Sequence, residues 1–197
     1  ESIVLVPGEV SLSTLKRVFH GRDKVELHAS ARARVDKCSQ QVQDIIDSDK
    51  VVYALNTGFG KFSQTRITAQ QMELLQRNLI TSHSTGVGEY LPDETVRLMM
   101  VLKVLALARG FSGIRYEAIE CLLKFINAGV YPCIPAKGSV GASGDLAPLS
   151  HMAATMIGIG QMRVEGRIMP AAEGLRIAGV NPYRLGPKEG VALVNGT

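Results

Sequence analysis

Over most of this chain the apolar positions recur at three- and four-residue steps, the spacing that lines one face of an α-helix. From Ser30 onward, Ala31, Val35, Cys38, Val42, Ile45 and Ile46 keep that spacing. Thr68-Ala69-Gln70-Gln71 has the arrangement of a capping box and predicts the start of a helix carrying Met72, Leu75 and Leu79. Pro92, Asp93 and Glu94 suit a first helical turn and Arg109-Gly110 a last one, so a helix is predicted over 92–109. Another is predicted over 112–128, closed by Gly129.

The exceptions to helical patterning are few. Residues 51–55 form a short apolar run that ends in Asn56-Thr57-Gly58-Phe59-Gly60, which predicts an extended piece leading into a loop. Pro132 and Pro135 hold the stretch 130–135 extended. A glycine-rich loop over 137–144 then delivers the chain to Asp145, which suits the cap of a helix bearing Leu149, Met152, Ala153 and Met156. Glu165-Gly166 predicts the turn of a small hairpin. The fold class expected from this pattern is mainly α.

Composition narrows the function. With 46% hydrophobic and 20% charged residues, the chain is neither a disordered tail nor an acidic scaffold. The net charge is +4, but Lys and Arg are scattered without a basic run, and there is no Trp with only five Tyr and five Phe. That argues against a nucleic-acid surface, which needs clustered cations and stacking rings. Cys38, Cys121 and Cys133 form no CxxC pair, so neither a disulfide framework nor a zinc site is expected, and a reducing cytoplasm is the expected location. The longest aliphatic stretch, 98–108, is interrupted by Lys103 and falls short of the roughly 18 to 20 residues of a membrane span. The first residue is Glu1 and the last, Thr197, falls inside a patterned segment, so the chain is expected to be part of a longer protein.

Gly138-Ser139-Val140-Gly141-Ala142-Ser143-Gly144-Asp145 invites comparison with phosphate loops. A Walker loop would place Lys and then Ser or Thr after its last glycine, whereas Asp145 and Leu146 stand there, and the carboxylate would repel phosphate. GxGxxG and the hydrolase GxSxG motif are both missing. By residue type alone, Ser143 is a small polar loop residue, Tyr53 a half-buried tyrosine, His83 a capping or surface histidine, and Asn195-Gly196 a turn. His151 reads as structural support, and His20 and His28 as surface residues. Met99, Met100, Met152 and Met156 read as core at helical spacing.

The fourteen residues from Gly138 to His151, GSVGASGDLAPLSH, resemble the signature of the aromatic amino acid ammonia-lyases, most of all their histidine-specific branch. Tyr53 to Gly60 (YALNTGFG), Ser82-His83, and Leu193 to Thr197 (LVNGT) extend the resemblance over nearly the whole chain. The resemblance implies an enzyme whose Ala142, Ser143 and Gly144 condense into a 4-methylidene-imidazol-5-one, with no external cofactor and no metal. Small residues suit such a turn, because the backbone must bend onto itself, and the helix after Asp145 would turn its positive end toward the ring.

The implied reaction removes ammonia from L-histidine to give trans-urocanate. Tyr53 matches the family's base for the β-proton. With an ordinary pKa near 10, it must be perturbed or act in a concerted transfer. Asn195 matches an asparagine expected to hydrogen-bond near the ring or substrate, and His83 a residue expected to meet or position the substrate imidazole. The resemblance further implies a homotetramer with shared sites. It also implies a helical N-terminal domain over 1–140 that contains the Tyr53 loop, and the ring-forming loop and start of a long central helical bundle over 141–197. This segment alone would then be inactive. Ser82-His83 looks histidine-type, but tyrosine or phenylalanine ammonia-lyases and aminomutases share the ring, so those activities stay open. A nonenzymatic helical interaction module and a nucleotide-binding domain are the alternatives from other classes.

Overall fold

The computed structural model describes residues 2–48, 68–141 and 144–196. The extended piece expected over 51–55 and the loop that follows it, with Tyr53, lie outside the described residues, as do Ala142 and Ser143. The rest is mainly helical, as the spacing predicts. A first strand, β1 (Ser2–Leu5), leads through α1 (Leu12–His20) to β2 (Lys24–Leu27), which pairs with β1 in parallel. Helix α2 (Ser30–Asp47) follows, buried through Ala31 and Val35 at its start and only partly covered toward its end.

Helix α3 (Ala69–His83) opens on the predicted capping box. Thr68 Oγ1 accepts from the Gln71 amide while the Gln71 side chain accepts from the Thr68 amide. Strand β3 (Val87–Tyr90) then leads into α4 (Asp93–Leu107), the centre of the core. Pro92 stands at its N-cap, and Asp93 and Glu94 fill its first turn. Helix α5 (Tyr116–Ala128) starts four residues later than the pattern predicts. Arg115 is extended at the N-cap, and its amide donates to the Glu189 carboxylate (3.0 Å) instead of entering a helix. The stretch 112–115 is therefore a connection fixed by a partner distant in sequence.

Strands β4 (Val130–Pro132) and β5 (Pro135–Lys137) realise the extended stretch predicted around the prolines. β5 pairs with β3, and β4 pairs with β6 (Gln161–Val164), which pairs in turn with β7 (Arg167–Pro170). Glu165 and Gly166 make the predicted hairpin turn between β6 and β7, both with positive φ. Helix α6 (Leu146–Met156) lies between β5 and β6 in sequence, and α7 (Ala171–Ile177) and α8 (Glu189–Val194) complete the described chain.

One hydrophobic core runs through these elements. Met100 and Val104 of α4, Leu122 and Phe125 of α5, Met152 and Met156 of α6, and Leu193 of α8 are all fully buried in it. The core-filling role expected for the methionines thus holds for three of the four, and Met99 packs on the core half-buried.

The buried side chain of Arg97 crosses that core. Arg97 is only 3% exposed, and its guanidinium donates to the Val18 carbonyl at the end of α1 (3.0 Å), to the Ile126 carbonyl at the end of α5 (2.9 Å) and to the Asp23 carbonyl. Helix ends leave carbonyls without partners, and Arg97 supplies them from the side. Replacing Arg97 with Met would keep the volume and orphan those acceptors. We expect R97M to lose roughly 2–4 kcal/mol of unfolding free energy, measured by urea denaturation. A loss within about 0.5 kcal/mol, the range of a neutral surface change, would contradict this account of the junction.

Candidate active site

The glycine-rich loop is gripped from both sides. Gly138 has φ +148, and a Cβ there would lie 2.9 Å from Gly86 Cα, so the loop approaches the segment after α3 closer than a side chain allows. At its other end, a Cβ on Gly144 would lie 2.6 Å from Asn195 Oδ1 and 2.7 Å from the Gly196 nitrogen. Asn195 is the C-cap of α8 and lies far from Gly144 only in sequence. In space its Oδ1 lies against Gly144.

Asp145 stands at the N-cap of α6, as expected, but its side chain makes no capping hydrogen bond. Oδ2 instead accepts from Ser139 Oγ (2.9 Å), which ties the two ends of the loop together. Oδ1 is buried with no hydrogen-bond partner among the described residues, as is Ser150 Oγ one turn further along the helix. Buried polar atoms of this kind are costly unless something meets them. The positive end of α6 directly follows Gly144, so the backbone there sits where negative charge is favoured.

His83 ends α3, half-buried, and its Nδ1 donates to the Leu79 carbonyl (2.7 Å). That bond puts the proton on Nδ1 and leaves Nε2 as an acceptor in the neutral ring. Among the described residues no hydrogen bond joins His83 to Asn195 or Gly144. The link runs instead through His151 on α6, whose Nε2 accepts from the Gly86 amide (3.0 Å). His151 therefore gives the support expected of it, pinning the segment after His83 to the helix after the loop. His20 and His28 are exposed, as expected.

Five side chains that sequence reasoning did not single out for the site, those of Glu189, Arg115, Tyr183, Gln76 and Lys103, hold α8 in place. Glu189, 2% exposed, accepts from Arg115 Nε (2.9 Å), Arg115 Nη2 (2.8 Å), the Tyr183 hydroxyl (2.9 Å) and the Gly186 amide (2.6 Å). Burial and the adjacent Glu189 carboxylate raise the pKa of Tyr183, so it remains a hydroxyl donor. Gln76 of α3, fully buried, accepts from the Val191 amide through Oε1 (3.1 Å). Lys103 of α4, 5% exposed, donates from Nζ to the Asn195 carbonyl (2.7 Å), and burial holds its pKa down to about 8. Its visible signal was the break it makes in the aliphatic stretch 98–108, on the same face as Met100 and Leu107.

The sequence profile described as aromatic amino acid lyase matches residues 10–197. The chain belongs to the aromatic amino acid lyase family. It is 51% identical over 195 residues to the histidine ammonia-lyase of Shewanella pealeana, covering 99% of this chain and 38% of that relative. It is 50% identical over 196 residues to the histidine ammonia-lyase of Vibrio vulnificus, covering 100% and 38%. Among solved structures it is similar to histidine ammonia-lyase from Trypanosoma cruzi, with a TM-score of 0.91 and 38% identity over 100% of this chain and 38% of that one. It is also similar to the phenylalanine aminomutase of Pantoea agglomerans, with a TM-score of 0.90 and 34% identity over 99% and 38%. The chain spans 38% of the length of these curated relatives. Among the described residues no helix is long and apolar enough to cross a membrane, and no cluster of side chains could hold a metal ion.

The His151 contact carries a pH signature. Burial lowers its folded-state pKa below the ordinary histidine value, and the Gly86 amide needs an unprotonated Nε2. Below about pH 6.5 the unfolded chain therefore binds more protons than the folded one, and the contribution, complete above that pH, is lost as pH falls. In H151Q an amide oxygen accepts without titrating. The melting temperature of the wild type should fall more than that of H151Q between pH 7.5 and pH 5; parallel curves would refute the assignment.

Proposed function

We propose that the protein eliminates ammonia from L-histidine to give trans-urocanate, as a carbon-nitrogen lyase. The observation that carries this reading is the seating of Asn195 against Gly144, which brings together the 138–151 and 193–197 motifs of the resemblance.

The residues present fit a 4-methylidene-imidazol-5-one formed from Ala142, Ser143 and Gly144. Gly144 has no room for a side chain, and the unpartnered Asp145 Oδ1 and the start of α6 offer polar groups beside it. In forming the ring, the Gly144 nitrogen bonds to the Ala142 carbonyl carbon. One water leaves with that carbonyl oxygen and the two amide hydrogens of Ser143 and Gly144. A second leaves with the Ser143 hydroxyl and its α-hydrogen. When present, the group supplies an electrophile that makes the substrate amine a better leaving group.

The chain's own side chains do the rest. Asn195 sets its side-chain amide, Oδ1 nearest, beside Gly144, held by the contacts at both ends of α8. His83, protonated at Nδ1 by its bond to Leu79, offers Nε2 to a substrate imidazole N–H. Tyr53 takes the β-proton, and a phenol with an ordinary pKa near 10 needs help from its surroundings to do so. Asn195, His83 and Tyr53 thus divide ring contact, substrate orientation and proton removal. We further propose a cytoplasmic homotetramer, with a helical N-terminal domain over 1–140 and the start of the central bundle over 141–197, the two sharing one core.

Mass spectrometry of the full-length protein tests the reading. The peptide containing Ser143 should be lighter by two waters, and histidine should yield urocanate absorbance. S143A should keep its helical spectrum and lose about a thousandfold or more in kcat, the scale lost with one transition-state stabilising group. An unmodified peptide would sink the lyase reading. Cinnamate, coumarate or a β-amino acid as main product would sink the choice of substrate or reaction.

A further inference from the structure

Lys103 is a cation where the pattern calls for an aliphatic residue. It sits on α4 between Met100 and Val104, both fully buried in the core, and it is itself 5% exposed. Burying an ammonium costs several kcal/mol unless it is met by suitable acceptors. No carboxylate pairs with it among the described residues, and its hydrogen bond there goes to one backbone carbonyl, that of Asn195 (2.7 Å). The adjacent surface position would have spared that cost, since Leu102 is 46% exposed.

The acceptor is not an ordinary carbonyl. It belongs to the cap of a six-residue helix, too short to hold its own end. The next peptide is equally constrained, since a Cβ on Gly196 would lie 3.2 Å from Nζ. That same Asn195-Gly196 corner also closes against Gly144. Lys103, carried by α4, and Gly144 therefore both meet the same Asn195-Gly196 corner.

We propose that Lys103 is a positioning residue that acts through Asn195: its ammonium holds the Asn195-Gly196 corner against Gly144, whose nitrogen must form the new bond in ring closure. This rests on the lyase reading and adds to it a residue that touches neither substrate nor ring. A purely stabilising contact would change the melting temperature and leave the chemistry of folded molecules intact. A positioning contact changes how many folded molecules carry the ring and how fast they turn over.

The test uses the full-length protein with K103M, K103Q and K103R, each measured at a temperature where circular dichroism shows it folded. In K103M the fraction of Ser143 peptide lacking two waters should fall severalfold, and kcat for histidine should fall about tenfold or more with KM within about twofold, the pattern of a lost transition-state contribution. K103R keeps a donor and should restore most of the ring fraction. If K103M does not fold, K103Q, which withdraws the donor from Asn195, takes its place with the same expectation. A full two-water deficit together with unchanged kcat in either neutral variant overturns the proposal. Failure of both to fold also overturns it, because the contact is then one of general stability. If the unaltered protein itself shows neither deficit nor turnover, the lyase reading has failed, an outcome distinct from a ring-bearing wild type beside an equally ring-bearing K103M.

Discussion

The structure turns on a close approach between two stretches of backbone. Gly144 and the Asn195-Gly196 corner lie so near that a single methyl group would separate them. Nothing local creates this approach. It is set by α8, a helix of six residues whose isolated stability would be negligible, and so depends on what grips α8 from outside. Glu189 is met by Arg115, Tyr183 and Gly186 at one end, Gln76 reaches its middle, and Lys103 takes its last carbonyl. The loop before α6 is thus shaped by residues from α3, α4 and the start of α5.

The opposite side of the loop is held by a different kind of contact. Gly138 meets Gly86 backbone to backbone, and His151 accepts from the Gly86 amide. This joins the end of α3, where His83 lies, to α6. The two grips share α3, which supplies Gln76 to α8 and leads directly into Gly86. A displacement of that one helix would act on both Asn195 and the far end of the glycine loop.

How much of this was legible beforehand depended on range. Local chemistry was readable: the Thr68 capping box, the turn at Glu165-Gly166 and the extended prolines all came out as the spacing predicts, because each is decided by neighbours in sequence. The start of α5 was misread by four residues, since Arg115 is claimed by Glu189 and no pattern around 115 announces a partner at 189. The short strands β1, β2 and β3 carry too few residues to show alternation. For the site, the motif residues were found by resemblance, and Asn195 and Gly144 do come together. Lys103, Gln76 and Glu189 were missed as site supports because a buried polar residue in a helix looks, one letter at a time, like a solvated one. Tyr53, Ala142 and Ser143 lie outside the described residues.

The Arg97 junction differs in kind from the ion pairs on the surface. Arg17 and Asp23, which lie next to it, attract one another only while the Asp23 carboxylate is ionised. Arg97 binds the neighbouring Asp23 through its backbone carbonyl, along with those of Val18 and Ile126, and peptide oxygens neither titrate nor exchange their charge for salt. Acid or brine that dissolves the outer ion pair therefore leaves the inner seam between α1 and α5 fastened.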